Sequence, residues 1–321
     1  MTTLDAEIGR AVSALKAGEL VAFPTETVYG LGADARNADA VRRIYTLKGR
    51  PPGHPLIVHL ASGAELGAWA RSVPQAARRL AERFWPGPLT LILPRAAGVL
   101  DELTGGQPTI ALRVPSHPLA HRLLAAFGDG IAAPSANRYG RVSPTTAAHV
   151  REEFGAALPI VLDGGASSVG LESTIVSCLD ELLLLRPGGI TVPELEALVG
   201  PVRRADRGEG PRAPGSPAAH YAPGTPLVLA AGAAFAAAAL APAAAVLAQG
   251  PARAGFSGRL WIDAGRNAVQ YGHDLYSNLR RLDHSGAGTI VVESPPEGPA
   301  WEAIRDRLTR AAAACGAEEI A

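Results

Sequence analysis

Cysteine is scarce: only Cys178 and Cys315 occur in 321 residues. Two distant thiols form neither a disulfide framework nor a metal-ligand spacing, which points to a reducing compartment. The first residues, Met1 to Arg10, do not show the positive start and apolar run of a signal peptide. No uninterrupted membrane span is present either. The most apolar stretch, Leu227 to Ala248, is broken by Gly232 and Pro242 and reads as strand and helix. A cytoplasmic protein with no membrane attachment is expected. Aromatics make up only 5% of the chain, so its core must be built mostly from Ala, Leu, Val and Ile. There is no excess of either charge, with 30 basic and 30 acidic side chains. Residues 1–200 hold 18 basic against 19 acidic groups, and residues 201–321 hold 12 against 11. Neither half has the basic surplus of a general nucleic-acid binder, although a small basic cleft for phosphates remains compatible.

The usual site signatures are missing as well. The nearest approach to a phosphate loop, Gly165–Gly170, continues into Leu171 and Glu172 rather than Lys and Ser or Thr. No G-x-G-x-x-G follows a strand, and no H-E-x-x-H, C-x-x-C or G-x-S-x-G occurs. A nucleotide would have to bind by another architecture.

What is present is a regular alternation. In the first 200 residues, Leu20–Phe23, Leu56–Leu60, Leu89–Leu93, Ile110–Val114, Pro159–Leu162, Thr174–Cys178 and Leu182–Leu185 read as strands. Asp5–Ala17, Ala38–Leu47, Pro74–Arg83, Pro118–Phe127 and Pro144–Phe154 read as helices, each proline suiting a first turn. Residues 201–225 are rich in Pro, Gly and charge and read as a linker. A second alternation follows, with strands at Pro226–Ala230, Ala244–Ala248, Arg259–Asp263 and Thr289–Glu293. Its helices are expected at Asn267–Leu282 and Pro299–Ala314, and the Ala-rich run at 230–245 suits a small-residue helix. The domain reading is therefore an α/β domain at 1–200, a linker at 201–225 and a smaller, largely parallel α/β domain at 226–321.

Five segments concentrate polar groups at strand ends or in loops. Pro24–Gly32 carries Thr25, Glu26 and Thr27 into what reads as a glycine-rich turn; a helix cap is the plain alternative. Lys48-Gly49-Arg50 precedes a stiff loop that includes His54; such cations could grip polyphosphate or simply face a helix end. Arg113, in the apolar strand that begins near Thr109, must find an anion, either a ligand carboxylate or a structural partner. Ala133–Pro144 offers Ser135, Asn137 and Ser143 among small residues. Asp163-Gly164-Gly165, Glu172-Ser173-Thr174 and Leu185–Gly189, with Arg186, complete the set. Taken alone, His59 in its strand reads as a satisfied core residue, and Cys178 as buried and inert. His117, His121 and His149 read as surface. Together the segments suggest a cleft with several cations and hydroxyls, suited to an anionic ligand.

PTETVYGLG, KGRP-x-x-HPL, FWPGPLTLIL, ALRVPSHP, APSANRYGRVSPT, DGG, ESTIV and LRPGGI, in that order from about Leu20 to Ile190, resemble the YrdC-like domain of the threonylcarbamoyl-AMP synthase family. His220-Tyr221-Ala222-Pro223 resembles the linker motif of its long form, and Leu275–Arg280 its accessory domain. The resemblance implies a YrdC-like mixed, twisted sheet with flanking helices, plus a Rossmann-like α/β domain. It implies that L-threonine, bicarbonate and ATP give threonylcarbamoyl-AMP and pyrophosphate, with Mg²⁺ accompanying the polyphosphate. A separate transferase would then carry the threonylcarbamoyl group to tRNA. By the same resemblance, Lys48, Arg50, Ser135 and Asn137 form the catalytic set. Arg50, His54, Thr109, Ser135, Ser143, Arg186 and Tyr221 contact ATP. Thr27, His59, Arg113, Ala133 and Ser173 contact threonine, with Arg113 on its carboxylate. His54 stands where the family often has Asn, and Ser216 and Pro217 replace a Met and often a basic residue before the linker motif. The linker is expected to close over the site, and Arg138 and Arg141 could make a weak tRNA contact. Two other readings are an RNA-binding module and a carbamoyltransferase of the hydrogenase-maturation type. The first calls for a basic surplus and the second for zinc modules, and the sequence supplies neither.

Overall fold

The computed structural model describes residues 3–206, 208–215 and 219–316. The linker positions Ser216 and Pro217 lie outside the described residues. The chain divides into two compact units. One comprises Met1–Arg138, Pro144–Ser168 and Glu172–Ser216; the other comprises Tyr139–Ser143, Val169–Leu171 and Pro217–Ala321.

The strands of the first unit are β1 (Val21–Phe23), β2 (Gly30–Asp34), β3 (Ile57–His59), β4 (Leu89–Pro94), β5 (Thr109–Arg113), β6 (Ile131–Ala132), β7 (Thr174–Cys178), β8 (Leu182–Arg186) and β9 (Arg203–Arg204). They form one mixed sheet in the order β1-β2-β6-β3-β5-β4-β7-β8-β9. Its helices are α1 (Thr3–Lys16), α2 (Ala38–Lys48), α3 (Leu66–Trp69), α4 (Gln75–Phe84), α5 (Asp101–Thr104), α6 (Pro118–Phe127), α7 (Ala147–Phe154) and α8 (Val192–Val199).

Strand alternation divides the sheet's side chains between two faces. Val58, Leu91, Leu93, Ile110, Leu112, Val176 and Leu184 point to one face, packing with the apolar stripes of α2, α4, α7 and α8. The other face is split. Over β1, β2 and β6 it is covered by α1 and α6 through Leu15, Leu119, Leu123 and Phe127. Over β3, β5, β4 and β7 it carries a short apolar floor of Ile57, Ile92, Ala111 and Ile175. No helix contributes to that floor cluster; Ala213, from the stretch before the second unit, packs against it.

Several expectations are corrected. Pro159–Leu162 is no strand: it meets β1 through a single bridge between Val161 and Ala22. Pro144 is not in a first helical turn. Its carbonyl accepts from Tyr29 N–H at 2.9 Å, and α7 starts three residues later, capped by Thr146. Pro74 is the N-cap of α4 rather than a residue inside it. The glycine-rich stretch after Thr27 is a strand, β2. A Cβ at Gly32 would stand 2.9 Å from the Phe23 ring and 3.0 Å from Ile131, so only glycine lets that face close. Residues 203–204, inside the expected linker, pair with β8.

In the second unit β10 (Leu227–Ala230), β11 (Ala244–Ala248), β12 (Leu260–Asp263) and β13 (Thr289–Glu293) form a wholly parallel sheet in the order β10-β13-β11-β12. The connecting helices are α9 (Gly232–Ala239), α10 (Ala268–Asp283) and α11 (Glu302–Ala314). Ala230, Ala239, Ala244 and Ala248 dominate one core cluster, where small side chains let α9 approach the sheet. The architecture is the expected Rossmann-like alternation.

Candidate active site

The floor residues are register neighbours: Ile57 pairs with Ala111, and Ala111 with Ile92. The same register fixes the polar groups beside them. His59 pairs with Arg113, Thr90 with Ile175, and Ile175 with Arg186. Paired residues share a face, so His59, Arg113, Thr90 and Arg186 rise on the floor's side of the sheet.

Arg113 is 4% exposed and anchored at three points. Nε donates to Gly87 O at 3.3 Å and Nη1 to Thr27 Oγ1 at 2.8 Å. Nη2 lies 2.8 Å from Glu26 Oε1, and both side chains are buried. The Glu26 Oε2 atom accepts from Ser116 N–H at 3.1 Å. Thr27 Oγ1 is itself 2.8 Å from Thr25 Oγ1. Beside them His59 is held neutral: burial, then the Arg113 charge, pushes its imidazole down from 6.5 to about 3.

A second polar group lies farther along the sheet. Arg186 Nε and Nη2 donate to Ser173 O at 3.0 and 2.9 Å, Nη2 also to Ser173 Oγ at 3.0 Å, and Nη1 to Pro214 O at 3.0 Å. Ser173 Oγ is 2.7 Å from Thr90 Oγ1. This crowding explains Gly188 in the LRPGG segment. A Cβ there would lie 2.2 Å from Thr174 N and 2.5 Å from the Ser173 carbonyl carbon.

A third group forms where α2 ends. Gly49, left-handed at φ 63, caps the helix and redirects the chain, so Lys48 is the last helical residue. Lys48 is buried, and its Nζ donates to Ser135 O at 2.5 Å and to Asn137 O. Burial, then the Arg50 charge, lowers its pKa well below that of an ordinary lysine. Arg50 Nη2 donates to Pro55 O at 2.9 Å. His54 is half-buried, and burial, then Arg50, then Arg212, depresses its pKa. Ser135 bridges to Gly30 at the start of β2, and Ala133 N–H donates to Ile57 O at 2.9 Å. Thr109 opens β5, the strand that ends at Arg113.

The first unit therefore carries Lys48 at the end of α2, and Arg50, His54, Ser135, Asn137, Ala133, Thr27, His59, Thr109, Arg113, Ser173 and Arg186 on neighbouring strands or on the loops that adjoin them. Ser143 and Tyr221 belong to the second unit. There Tyr221 is buried with left-handed backbone at φ 62, its ring 6.0 Å from Tyr276 and 5.0 Å from the Arg307 guanidinium. The Asp163-Gly164-Gly165 turn is structural: Gly164 N–H donates to Tyr29 Oη at 3.2 Å, and Tyr29 Oη donates to Gly165 O at 2.7 Å. Arg141 is within 3.6 Å of Asp283, and Arg138 lies over Phe154. Sequence reasoning gives no role to Glu26 or Thr90. The signals were a carboxylate between two threonines after a buried strand, and a hydroxyl inside the apolar run Leu89–Leu93.

The chain is similar to known proteins along most of its length. Residues 13–188 match the family described as "Telomere recombination", and residues 190–313 match the C-terminal domain of threonylcarbamoyl-AMP synthase. The chain is 41% identical to the Bacillus subtilis threonylcarbamoyl-AMP synthase, over 97% of this chain and 94% of that protein. It is 38% identical to the Pyrococcus abyssi threonylcarbamoyl-AMP synthase, over 94% of this chain and 92% of that one. The crystal structure of P. abyssi Sua5 complexed with L-threonine superposes with a TM-score of 0.90 at 36% identity, covering 98% of this chain and 96% of that one. The chain belongs to the threonylcarbamoyl-AMP synthase family.

Proposed function

We propose that this protein converts L-threonine, bicarbonate and ATP to threonylcarbamoyl-AMP and pyrophosphate, acting in the cytoplasm ahead of a transferase that modifies tRNA. The observation that carries this reading is the buried Arg113, anchored by Gly87 O and Thr27 and set beside His59 on an apolar floor. A guanidinium fixed in that way suits one small carboxylate. The cationic end formed by Lys48 and Arg50 suits a polyphosphate.

In the first step the threonine amine attacks the carbon of bicarbonate. A C–N bond forms, water leaves, and N-carboxythreonine results. Arg113 holds the α-carboxylate, Thr27 and Ser173 offer hydroxyls, and neutral His59 adds no second positive charge to compete for that carboxylate. In the second step a carbamate oxygen attacks the α-phosphorus of ATP. The new P–O bond forms as the bond to the β-phosphate oxygen breaks, and pyrophosphate leaves. Such a displacement needs positioning and charge neutralisation rather than a nucleophilic side chain. Lys48, Arg50 and Arg186 supply positive charge, while Thr109, Ser135, Asn137 and His54 supply hydrogen bonds. Ile57, Ile92, Ala111 and Ile175 offer water no hydrogen bond, which protects a labile carbamate.

Among the described residues no three His, Cys, Asp or Glu gather as a metal-binding group. These side chains do not fit a resident magnesium ion. Mg²⁺ belongs with the ATP phosphates as part of the substrate.

Pyrophosphate release tests the reading. It should require L-threonine, bicarbonate and ATP together, and replacing threonine and bicarbonate with carbamoyl phosphate should not support it. Folded protein that releases no pyrophosphate with all three substrates would overturn the assignment.

A further inference from the structure

Two buried atoms in the Arg113 cluster leave their hydrogen-bonding capacity unused. Arg113 Nη2 and Glu26 Oε1 are 2.8 Å apart, yet neither makes a hydrogen bond: the oxygen lies off the directions of the Nη2 N–H bonds. His59 Nδ1, across the register from Arg113, is also without one. Buried polar atoms in native proteins are nearly always satisfied, so such a group needs a reason. Here a buried donor and a buried acceptor of opposite charge stand side by side. A ligand completing both must present an acceptor to the guanidinium and an N–H donor to the carboxylate. An α-amino acid does both, through adjacent carboxylate and amino groups.

The geometry points to Glu26 Oε1 as the acceptor for the α-amino group of the amino-acid substrate, complementing Arg113 on the α-carboxylate. This inference rests on the threonine reading above and assigns the amino end of that substrate. Glu26 is well held for the task. Its other oxygen is bound by Ser116 N–H, fixing the carboxylate plane. Its chain leaves β1 through the turn in which Thr25 Oγ1 donates to Val28 O at 2.6 Å. In the binding complex Glu26 accepts from the ammonium. Once the nitrogen has been carboxylated, its remaining N–H still faces the same oxygen. The ammonium loses one proton to solvent to become the amine that attacks bicarbonate, and the carboxylate holds the nitrogen in place through that step by accepting from an N–H that remains.

The same geometry sets the outcome of replacing Glu26 with Gln. Ser116 N–H needs an acceptor, so the amide oxygen takes the Oε2 place and the amide NH₂ takes the place of Oε1. A donor then confronts the substrate's donor. Calorimetry of wild type, Glu26→Gln and Glu26→Asp should use two probes: L-threonine, and 3-hydroxybutyrate, which keeps the carboxylate and hydroxyl but lacks the amine. Wild type should prefer L-threonine by roughly tenfold or more. Glu26→Gln should lose most of that preference while binding 3-hydroxybutyrate about as wild type does, and its KM for ATP should stay unchanged. Glu26→Asp, one methylene shorter, should fall between them. Equal loss of both probes in Glu26→Gln would assign Glu26 a purely structural role through Arg113 and overturn the inference. If Glu26→Gln does not fold, the wild-type comparison decides alone, and equal affinity for the two probes overturns it. Failure of the enzymatic reading would instead appear as wild-type protein that neither binds threonine nor releases pyrophosphate.

Discussion

His59 should make the first unit acid-sensitive by an amount the structure allows to be worked out. Its imidazole titrates at 6.5 in the unfolded chain and at about 3 in the fold, where burial and the Arg113 charge oppose protonation. The folded-state pKa is lowered, so below pH 6.5 the unfolded state binds the extra proton and stability falls with pH. The effect is absent above the unfolded pKa and complete below about pH 3, where it reaches about 5 kcal/mol. Between about pH 7.5 and about pH 5 the site should cost about 2 kcal/mol. His59→Gln removes the titration while keeping a neutral polar group. Urea unfolding of both proteins at the two pH values gives the slopes. Wild type should lose about 2 kcal/mol more than the variant. Equal losses would mean that His59 is not held neutral beside Arg113. The difference between the proteins isolates this histidine from the other seven, which both proteins share.

Other consequences follow from the same contacts. Ser173→Ala removes the partner of Thr90 Oγ1 and one acceptor of Arg186, and should cost about 1–3 kcal/mol in unfolding free energy while raising the KM for threonine. Gly188→Ala forces a methyl group onto the backbone at Ser173 and Thr174, which cannot swing aside, and should lower stability by about 3 kcal/mol in the same unfolding assay. Cys178 is buried, which pushes its thiol up to about 12, whereas Cys315 is partly exposed. Iodoacetamide should therefore label one thiol in native protein and two after unfolding; rapid native labelling of both would contradict the burial.

Much of this was readable from residues alone, for identifiable reasons. The short apolar runs read as strands at Leu89–Leu93 and Ile110–Val114 correspond to β4 and β5, because both faces of those strands are buried. β2 escaped because one of its faces is glycine, made necessary by Phe23 and Ile131 above it, and no side-chain period survives. Val161 supplied the composition of a strand but meets β1 at one residue only. α8 was missed although its signal was present: Thr191 and Glu194 form a capping box ahead of an apolar run. The need for an anion beside Arg113 was evident from one charge in an apolar strand. That Glu26 partly answers it could not be read, because residues 87 positions apart meet only through the sheet order. The low pKa of Lys48 was hidden in the same way, arising from burial against the Ser135 and Asn137 carbonyls far along the chain.

The most direct test of the account follows the carbon of bicarbonate. With L-threonine, ATP and isotopically labelled bicarbonate, mass spectrometry should find one labelled carbon in an adenylate that also contains threonine, formed in step with pyrophosphate, and Arg113→Met should abolish it. ATP turnover that leaves the label in solution, or a labelled adenylate formed equally well by Arg113→Met, would contradict it.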